Sequence, residues 1–131
     1  MSRTTVFLAT VAALALALPG CGEGDVFRTE RPIVRVMLDE YRIVPQNISI
    51  RPGRIKFVVR NAGRLTHNLV VQNEHADGTF IELPGRRVVT MQPGQTAEPI
   101  KLDLTAGTYR LVCTIANHDD LGQFGTLEVK R

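Results

Sequence analysis

Residues 52–63 of this chain read Pro-Gly-Arg-Ile-Lys-Phe-Val-Val-Arg-Asn-Ala-Gly, and this stretch decides the fold class. Its apolar residues Ile55, Phe57 and Val59 occupy every second position, and they alternate with Lys56, Val58 and Arg60. Successive side chains of a β-strand point to opposite faces, so the alternation predicts a strand with one buried face. The Pro-Gly at its start and the Asn-Ala-Gly at its end are turn signals that bound the strand.

The same short alternating pattern recurs from residue 33 to the end of the chain. Val34, Val36 and Leu38 alternate in this way, and no window offers a long amphipathic helix. Short strands separated by regularly spaced turns are typical of sandwiches and barrels. We therefore predict an all-β domain over residues 33–131, a Greek-key β-sandwich of about eight strands. The turn signals are Pro52-Gly53, Asn61-Ala62-Gly63, Pro84-Gly85, Pro93-Gly94 and Ala106-Gly107.

Composition excludes several classes of function. The 131 residues correspond to one domain, and 44% hydrophobic with 22% charged residues is an ordinary globular mixture. Sixteen basic against thirteen acidic residues leave a net charge of +3, which is too slight for a nucleic-acid-binding surface. The glycine-rich signatures of nucleotide binding and the H-E-x-x-H signature of zinc proteases are absent from the sequence.

The amino-terminal residues have the pattern of a targeting segment. Residues 6–18 are thirteen residues with one hydroxyl among them, too short for a bilayer span of about 20 residues but suited to a signal peptide. The segment ends in Leu18-Pro19-Gly20-Cys21, which resembles the bacterial lipoprotein cleavage box. We therefore predict a signal peptide over 1–20 and a lipid on Cys21, which would anchor the chain to a membrane in the periplasm or at the cell surface. The alternative is an ordinary cleaved signal with a free cysteine nearby.

Residues 21–32 have no apolar period and are predicted to be a flexible tether.

In the predicted domain, the alternation of each strand predicts that two chemically active side chains point inward. His67 shares parity with Leu69 and Val71, and Cys113 shares parity with Leu111. Both side chains are therefore expected to face the core at the ends of their strands, where a sandwich can hold a buried metal.

The loop after Cys113 carries the strongest chemical signal. His118 follows Cys113 after four intervening residues, and Gln123 follows His118 at the same spacing. With His67 from a distant strand, one thiolate, two imidazoles and an amide oxygen could converge on one point. A His₂Cys set with a weak axial Met or Gln is the donor set of blue-copper electron-transfer sites.

On these motifs, residues 33–131 resemble the bacterial cupredoxins, relatives of plastocyanin and azurin. The matching pieces include the run from His67 to Val71 and the C-x₄-H-x₄-[MQ]-x-G spacing that begins at Cys113. The resemblance implies one copper ion that cycles between Cu(I) and Cu(II), with His67, Cys113 and His118 as equatorial ligands. It also implies that Asn68 hydrogen-bonds to the cysteine loop near Thr114, which would fix the geometry of the ligands.

Two positions depart from the family pattern. Gln123 stands where the family usually has an axial Met, as in the plant protein stellacyanin, and Ala116-Asn117 replaces the usual Pro-Gly before the loop histidine. Asparagine tolerates a left-handed conformation better than other non-glycine residues, so we expect Asn117 to preserve the turn.

The function implied by the resemblance is electron transfer, without enzymatic activity. We expect a monomer whose redox protein partners dock near the exposed edge of His118, and no nucleic-acid partner. The apolar frame of that edge would be formed by Ile115, Ala116, Leu121 and Phe124. The alternative within copper chemistry is a non-redox lipoprotein for copper storage, delivery or resistance.

Other readings of the same residues are weaker. A nucleophilic Cys113 with a histidine base would need an oxyanion-hole signature that the sequence does not offer. A metal-free adhesion module would not need the ligand set, and an amide is a poor fourth ligand for zinc. His75, in a hairpin loop, and the Asp119-Asp120 pair are expected to be solvated surface residues.

Overall fold

The computed structural model describes residues 24–131, so the predicted signal peptide and Cys21 lie outside the described residues. These residues contain ten strands in two sheets and no helix, and accordingly none that could cross a membrane. The all-β fold class is confirmed. The strands are β1 (Val26–Thr29), β2 (Ile33–Asp39), β3 (Arg42–Val44), β4 (Asn47–Ile50), β5 (Gly53–Asn61), β6 (His67–Glu74), β7 (Phe80–Met91), β8 (Ile100–Leu104), β9 (Gly107–Val112) and β10 (Phe124–Val129).

The two sheets face each other as a sandwich. The six-stranded sheet has the order β1-β4-β10-β9-β6-β7, and the four-stranded sheet has the order β3-β2-β5-β8. Strand β4 pairs in parallel with both β1 and β10, and β2 pairs in parallel with β5, while the remaining pairs are antiparallel. Parallel neighbours cannot be joined by a hairpin, so the chain crosses between the sheets as a Greek-key sandwich requires.

The core lies between the sheets and follows the predicted alternation. In β2 and β5 every second residue is buried, including Val36, Leu38, Phe57 and Val59. The opposite sheet contributes the inward residues of β6, β9 and β10 to the same cluster. The period-2 pattern of the sequence thus correctly identifies the faces of these strands.

Strand β1 differs from the expectation of a tether over residues 21–32. Val26 pairs with Asn47 and Thr29 pairs with Ile50 along the edge of the sheet. The side chains of β1 are exposed or half-buried, so the strand is attached through backbone hydrogen bonds rather than through burial. Attachment of this kind leaves no apolar period in the sequence.

Strand β7 is also longer than the pattern suggests, because it continues through Pro84-Gly85 where the sequence indicates a turn. Proline is tolerated there since β7 is an edge strand and one side of it needs no ladder hydrogen bonds. The register with β6 shifts between Val70 and Gln72, and Gly85 has a φ of 75°, so the turn signal produces a bulge rather than a separate hairpin.

Candidate metal site

Three potential ligands meet at one end of the sandwich. The Cys113 Sγ lies 4.0 Å from His67 Nδ1 and 3.6 Å from His118 Nδ1. The ligand atoms of the three residues all lie within 4.8 Å of one another, and all three residues are buried. The structure therefore brings together the thiol and both imidazoles that strand parity and loop spacing point to.

The loop between β9 and β10 positions two of these ligands through backbone hydrogen bonds. The Cys113 N–H donates to the Gln123 carbonyl at 3.1 Å and closes the base of the loop. Within it, the His118 N–H donates to the Ile115 carbonyl at 3.1 Å, and the Gln123 N–H donates to the His118 carbonyl at 3.0 Å. The loop is thus a series of hydrogen-bonded turns, which places His118 Nδ1 close to Cys113 Sγ.

The left-handed residue of this loop is Ala116, with a φ of 49°, so the expectation that Asn117 supplies this conformation is wrong. A left-handed conformation costs a non-glycine residue about 1–2 kcal/mol because its Cβ approaches the following carbonyl. Ala116 is exposed, and its methyl group is the smallest side chain that carries a Cβ. The turn before His118 therefore forms without Pro-Gly.

Asn68 joins the strand of the first histidine to the cysteine loop, as expected. The Thr114 N–H donates to Asn68 Oδ1 at 2.9 Å, and Asn68 Nδ2 donates to Thr114 Oγ1 at 3.1 Å. A third group, Arg87 on β7, donates to the same hydroxyl at 3.0 Å and is paired with Glu82. Sequence reasoning missed Arg87, because no local pattern connects residues on different strands.

Gln123 is fully buried, and only the nitrogen of its side-chain amide forms hydrogen bonds within residues 24–131. Its Nε2 donates to the Asp39 carbonyl at 2.6 Å. Its Oε1 is buried and has no hydrogen-bond partner among residues 24–131. An unsatisfied buried acceptor costs about 1–3 kcal/mol, so such atoms in native structures call for an explanation.

Two further residues, both missed as contributors to the site, contact the histidines. The Tyr41 ring meets His118 edge-on, with the ring centroids 5.2 Å apart. Glu40 Oε1 lies 3.5 Å from His67 Nε2 and accepts the Leu65 N–H at 2.8 Å. This Leu65 N–H is the main group that lowers the pKa of Glu40 below its usual value, which favours an ionised carboxylate.

Burial lowers the pKa of His67, the Glu40 carboxylate opposes this shift, and His118 adds to it. The net direction favours a neutral imidazole. Metal ligation requires that state, because the nitrogen lone pair must be free of a proton.

The donor atoms have the spacing that a trigonal metal needs. Metal–sulfur and metal–nitrogen bonds of about 2.3 and 2.0–2.1 Å, as zinc forms, place trigonal sulfur and nitrogen donors about 3.8 Å apart. The two observed separations from Cys113 Sγ, 3.6 and 4.0 Å, bracket this value. The cluster of one thiol and two imidazoles therefore fits a His₂Cys copper site.

The chain after His118 exposes two large apolar side chains. His118 is 9% exposed, while Leu121 and Phe124, three and six residues further along the chain, are 51% and 42% exposed. Asp120 is exposed, as expected, while Asp119 is half-buried and its carboxylate lies 3.6 Å from the Arg110 guanidinium. The Arg110 guanidinium also lies 5.2 Å from the centre of the Phe124 ring. His75 is exposed in the β6–β7 hairpin, as predicted.

Comparisons with known proteins agree with this fold. No protein-family model matches the chain. The copper-resistant cuproprotein CopI of Rubrivivax gelatinosus is 27% identical over 125 residues, which cover 82% of this chain and 71% of that protein.

Among solved structures, reduced auracyanin of Roseiflexus castenholzii superposes with a TM-score of 0.63 at 17% identity, covering 79% of this chain and 100% of the other. Rusticyanin of Thiobacillus ferrooxidans gives 0.60 at 18% identity, with 85% and 86% covered. The chain therefore has the cupredoxin fold, and its cluster of His67, Cys113 and His118 fits a blue copper site.

Proposed function

We propose that this chain is an electron-transfer protein that holds one copper ion through His67, Cys113 and His118, with Gln123 Oε1 as a weak axial ligand. The observation that carries the proposal is the convergence of three buried donor atoms within 4.8 Å of one another. Bound copper would supply a one-electron couple between Cu(I) and Cu(II). The chain is then an electron carrier rather than an enzyme.

The residues around the cluster suit this task because they hold the donors in place. The Cys113 N–H and the Thr114 N–H are both hydrogen-bonded, to the Gln123 carbonyl and to Asn68 respectively. A ligand set fixed by its own backbone and neighbours changes little between oxidation states, and this keeps the reorganisation on electron transfer small. His118, at 9% exposure, is the least buried of the three residues, so its edge is the proposed route for the electron and the proposed contact for a redox partner.

The test is to add Cu(II) to the purified metal-free protein and to follow absorption, electron paramagnetic resonance and voltammetry. We expect one equivalent to produce an intense blue or green colour from thiolate-to-copper charge transfer, with fast and reversible one-electron reduction. A colourless protein that binds no copper would refute the proposed metal site.

A second function, in copper storage, delivery or resistance, is favoured by the 27% identity to a copper-resistance protein. The same ligands would then hold copper tightly without fast electron exchange. Very tight Cu(I) binding, sluggish voltammetry and a copper-sensitive deletion strain would support this function. Fast self-exchange together with unaltered copper tolerance would support electron transfer.

For location, we propose that residues 1–20 are a signal peptide and that a lipid on Cys21 tethers the chain outside the cytoplasm. The described chain begins three residues later, and β1 starts beside Asn47, which also pairs with Thr126 at the start of β10. The first described strand, β1, therefore begins at the end of the sandwich that holds the cluster. Replacing this cysteine by serine should release the protein from membranes or block its processing. Unchanged partitioning with an unmodified mature terminus would contradict the tether.

A further inference from the structure

We propose that Glu40 is a positioning residue for His67: its carboxylate is the hydrogen-bond acceptor for the Nε2–H group and so favours the imidazole tautomer that leaves Nδ1 free for a metal. The inference rests on the proposed copper site only for the consequence at the metal. The contact itself belongs to the protein without metal.

The first observation is that several donors converge on one carboxylate oxygen. Glu40 Oε1 accepts the Arg64 N–H at 2.5 Å and the Leu65 N–H at 2.8 Å, and it lies 3.5 Å from His67 Nε2. Two of the donors belong to the loop that leads directly into His67. The carboxylate therefore fixes the loop by two hydrogen bonds and lies next to the imidazole ring that follows this loop.

The second observation is the state of the His67 ring. The residue is fully buried with Nδ1 toward Cys113, and Nε2 has no formed hydrogen bond within residues 24–131. A neutral imidazole carries one proton, so ligation through Nδ1 requires that proton on Nε2. Moving the ring by about half an ångström toward Glu40 would bring the pair to ordinary hydrogen-bonding distance. Metal-bound histidines commonly donate to a carboxylate in this way.

The third observation is that the fold makes room for the carboxylate. A Cβ at Gly63 would overlap Glu40 Oε1 and would lie 3.0 Å from Glu40 Cδ and 3.1 Å from Asp39 Cα. The Gly63 N–H donates to Asn61 Oδ1 at 2.9 Å, and Asn61 Nδ2 donates to the Leu65 carbonyl at 2.7 Å. The side-chain amide of Asn61 thus fixes the β5–β6 loop through two hydrogen bonds, and the Glu40 carboxylate packs against Gly63 of this loop.

The turn that carries Glu40 is fixed by other contacts to the same site. Asp39, the last residue of β2, accepts the Gln123 amide through its carbonyl at 2.6 Å. Tyr41, the next residue after Glu40, packs edge-on against His118. One turn therefore contacts His67, His118 and Gln123, so the position of Glu40 does not depend on its contact with His67 alone.

A carboxylate on Nε2–H makes the imidazole a stronger donor at Nδ1, and a stronger donor favours Cu(II) over Cu(I). We therefore expect Glu40→Ala to weaken Cu(II) binding by about 10–100-fold, the usual cost of losing an outer-shell partner. We also expect the reduction potential to rise. Glu40→Gln keeps a neutral acceptor for the loop, so its potential should rise less and its affinity should lie between the two.

The test combines a readout on the metal-free protein with two on the copper form. Nitrogen NMR of metal-free wild type should show His67 with its proton on Nε2, and Glu40→Ala should show a mixture of tautomers. Copper affinity and voltammetry then follow for wild type, Glu40→Ala and Glu40→Gln. The control is Glu128→Gln, which removes the same charge from an exposed carboxylate paired with Lys130.

The outcomes separate this inference from the proposed function. If wild type binds no copper, the proposed function fails, but the tautomer of His67 still decides the role of Glu40. If wild type is coloured while both Glu40 variants match Glu128→Gln in tautomer, affinity and potential, the inference is wrong. If Glu40→Ala does not fold, Glu40→Gln decides in the same way, because a residue that only held the loop would leave the potential unchanged.

Discussion

Gly125, buried in β10 just after the ligand loop, is the position where the structure predicts the sharpest effect of one added methyl group. A Cβ there would approach the Gln46 carbonyl oxygen more closely than 3.0 Å, a separation that Cβ atoms essentially never cross, and would lie 3.2 Å from the carbonyl carbon. The obstacle is backbone, so no flexible side chain can move aside. The same carbonyl accepts the Thr126 N–H at 2.9 Å, so a shift of this segment also breaks a hydrogen bond.

The magnitude of Gly125→Ala follows from these contacts. Overpacking costs about 1–3 kcal/mol and the lost hydrogen bond about 1 kcal/mol, while alanine recovers about 0.4–1 kcal/mol through the unfolded state. The free energy of unfolding should therefore fall by about 1–3.5 kcal/mol, or about 5–20 °C in Tm for a domain of this size. The assay is thermal unfolding of the metal-free protein by circular dichroism, because bound metal would stabilise the folded state.

The matched control is Gly24→Ala. Among residues 24–131, a Cβ at Gly24 would meet only the Asn47 side-chain nitrogen, at 3.4 Å, which is ordinary contact. Its unfolding free energy should stay unchanged or rise by up to about 1 kcal/mol, through the same effect on the unfolded state. Equal melting temperatures for the two variants would show that β10 and the Gln46 segment can separate freely, and would refute the reasoning.

Three further predictions concern the site and the fold. Cys113→Ser should abolish the copper colour, while its far-ultraviolet circular dichroism should remain that of a folded sandwich. His67→Ala should also abolish the colour, and His75→Ala should not. Loss of the colour in His75→Ala and its retention in His67→Ala would overturn the assignment of His67 as a ligand. Gln123→Met should raise the reduction potential, because an amide oxygen is a harder donor than a thioether and favours Cu(II), and Gln123→Leu should raise it further; an unchanged or lower potential in the Met variant would exclude Gln123 as a ligand. Tyr109→Phe removes the 2.9 Å hydrogen bond from the hydroxyl to the backbone carbonyl four residues earlier, so urea unfolding should show a loss of about 1 kcal/mol, and no loss would mean that water satisfies this carbonyl.

The residues that sequence reasoning identified correctly belong to local, periodic patterns. Alternation in β2 and β5 predicts their buried faces, and the same period places His67 and Cys113 toward the interior. The period of a strand is encoded in the types of successive residues, so it can be read without knowledge of their neighbours. The spacing of Cys113, His118 and Gln123 along one loop is local for the same reason.

Tertiary packing sets which distant groups surround the strands and the candidate ligands. β1 pairs through its backbone, which is the same for every residue type, and the continuation of β7 through Pro84 depends on its place at the sheet edge. Glu40 contacts His67 from a turn in the other sheet, and the local sequence around neither residue predicts this contact. The all-β class and the candidate ligands could be predicted from the sequence alone, because strand period and loop spacing are local. The separations between ligand atoms and the carboxylate behind His67 depend on how the two sheets pack, which no local pattern encodes.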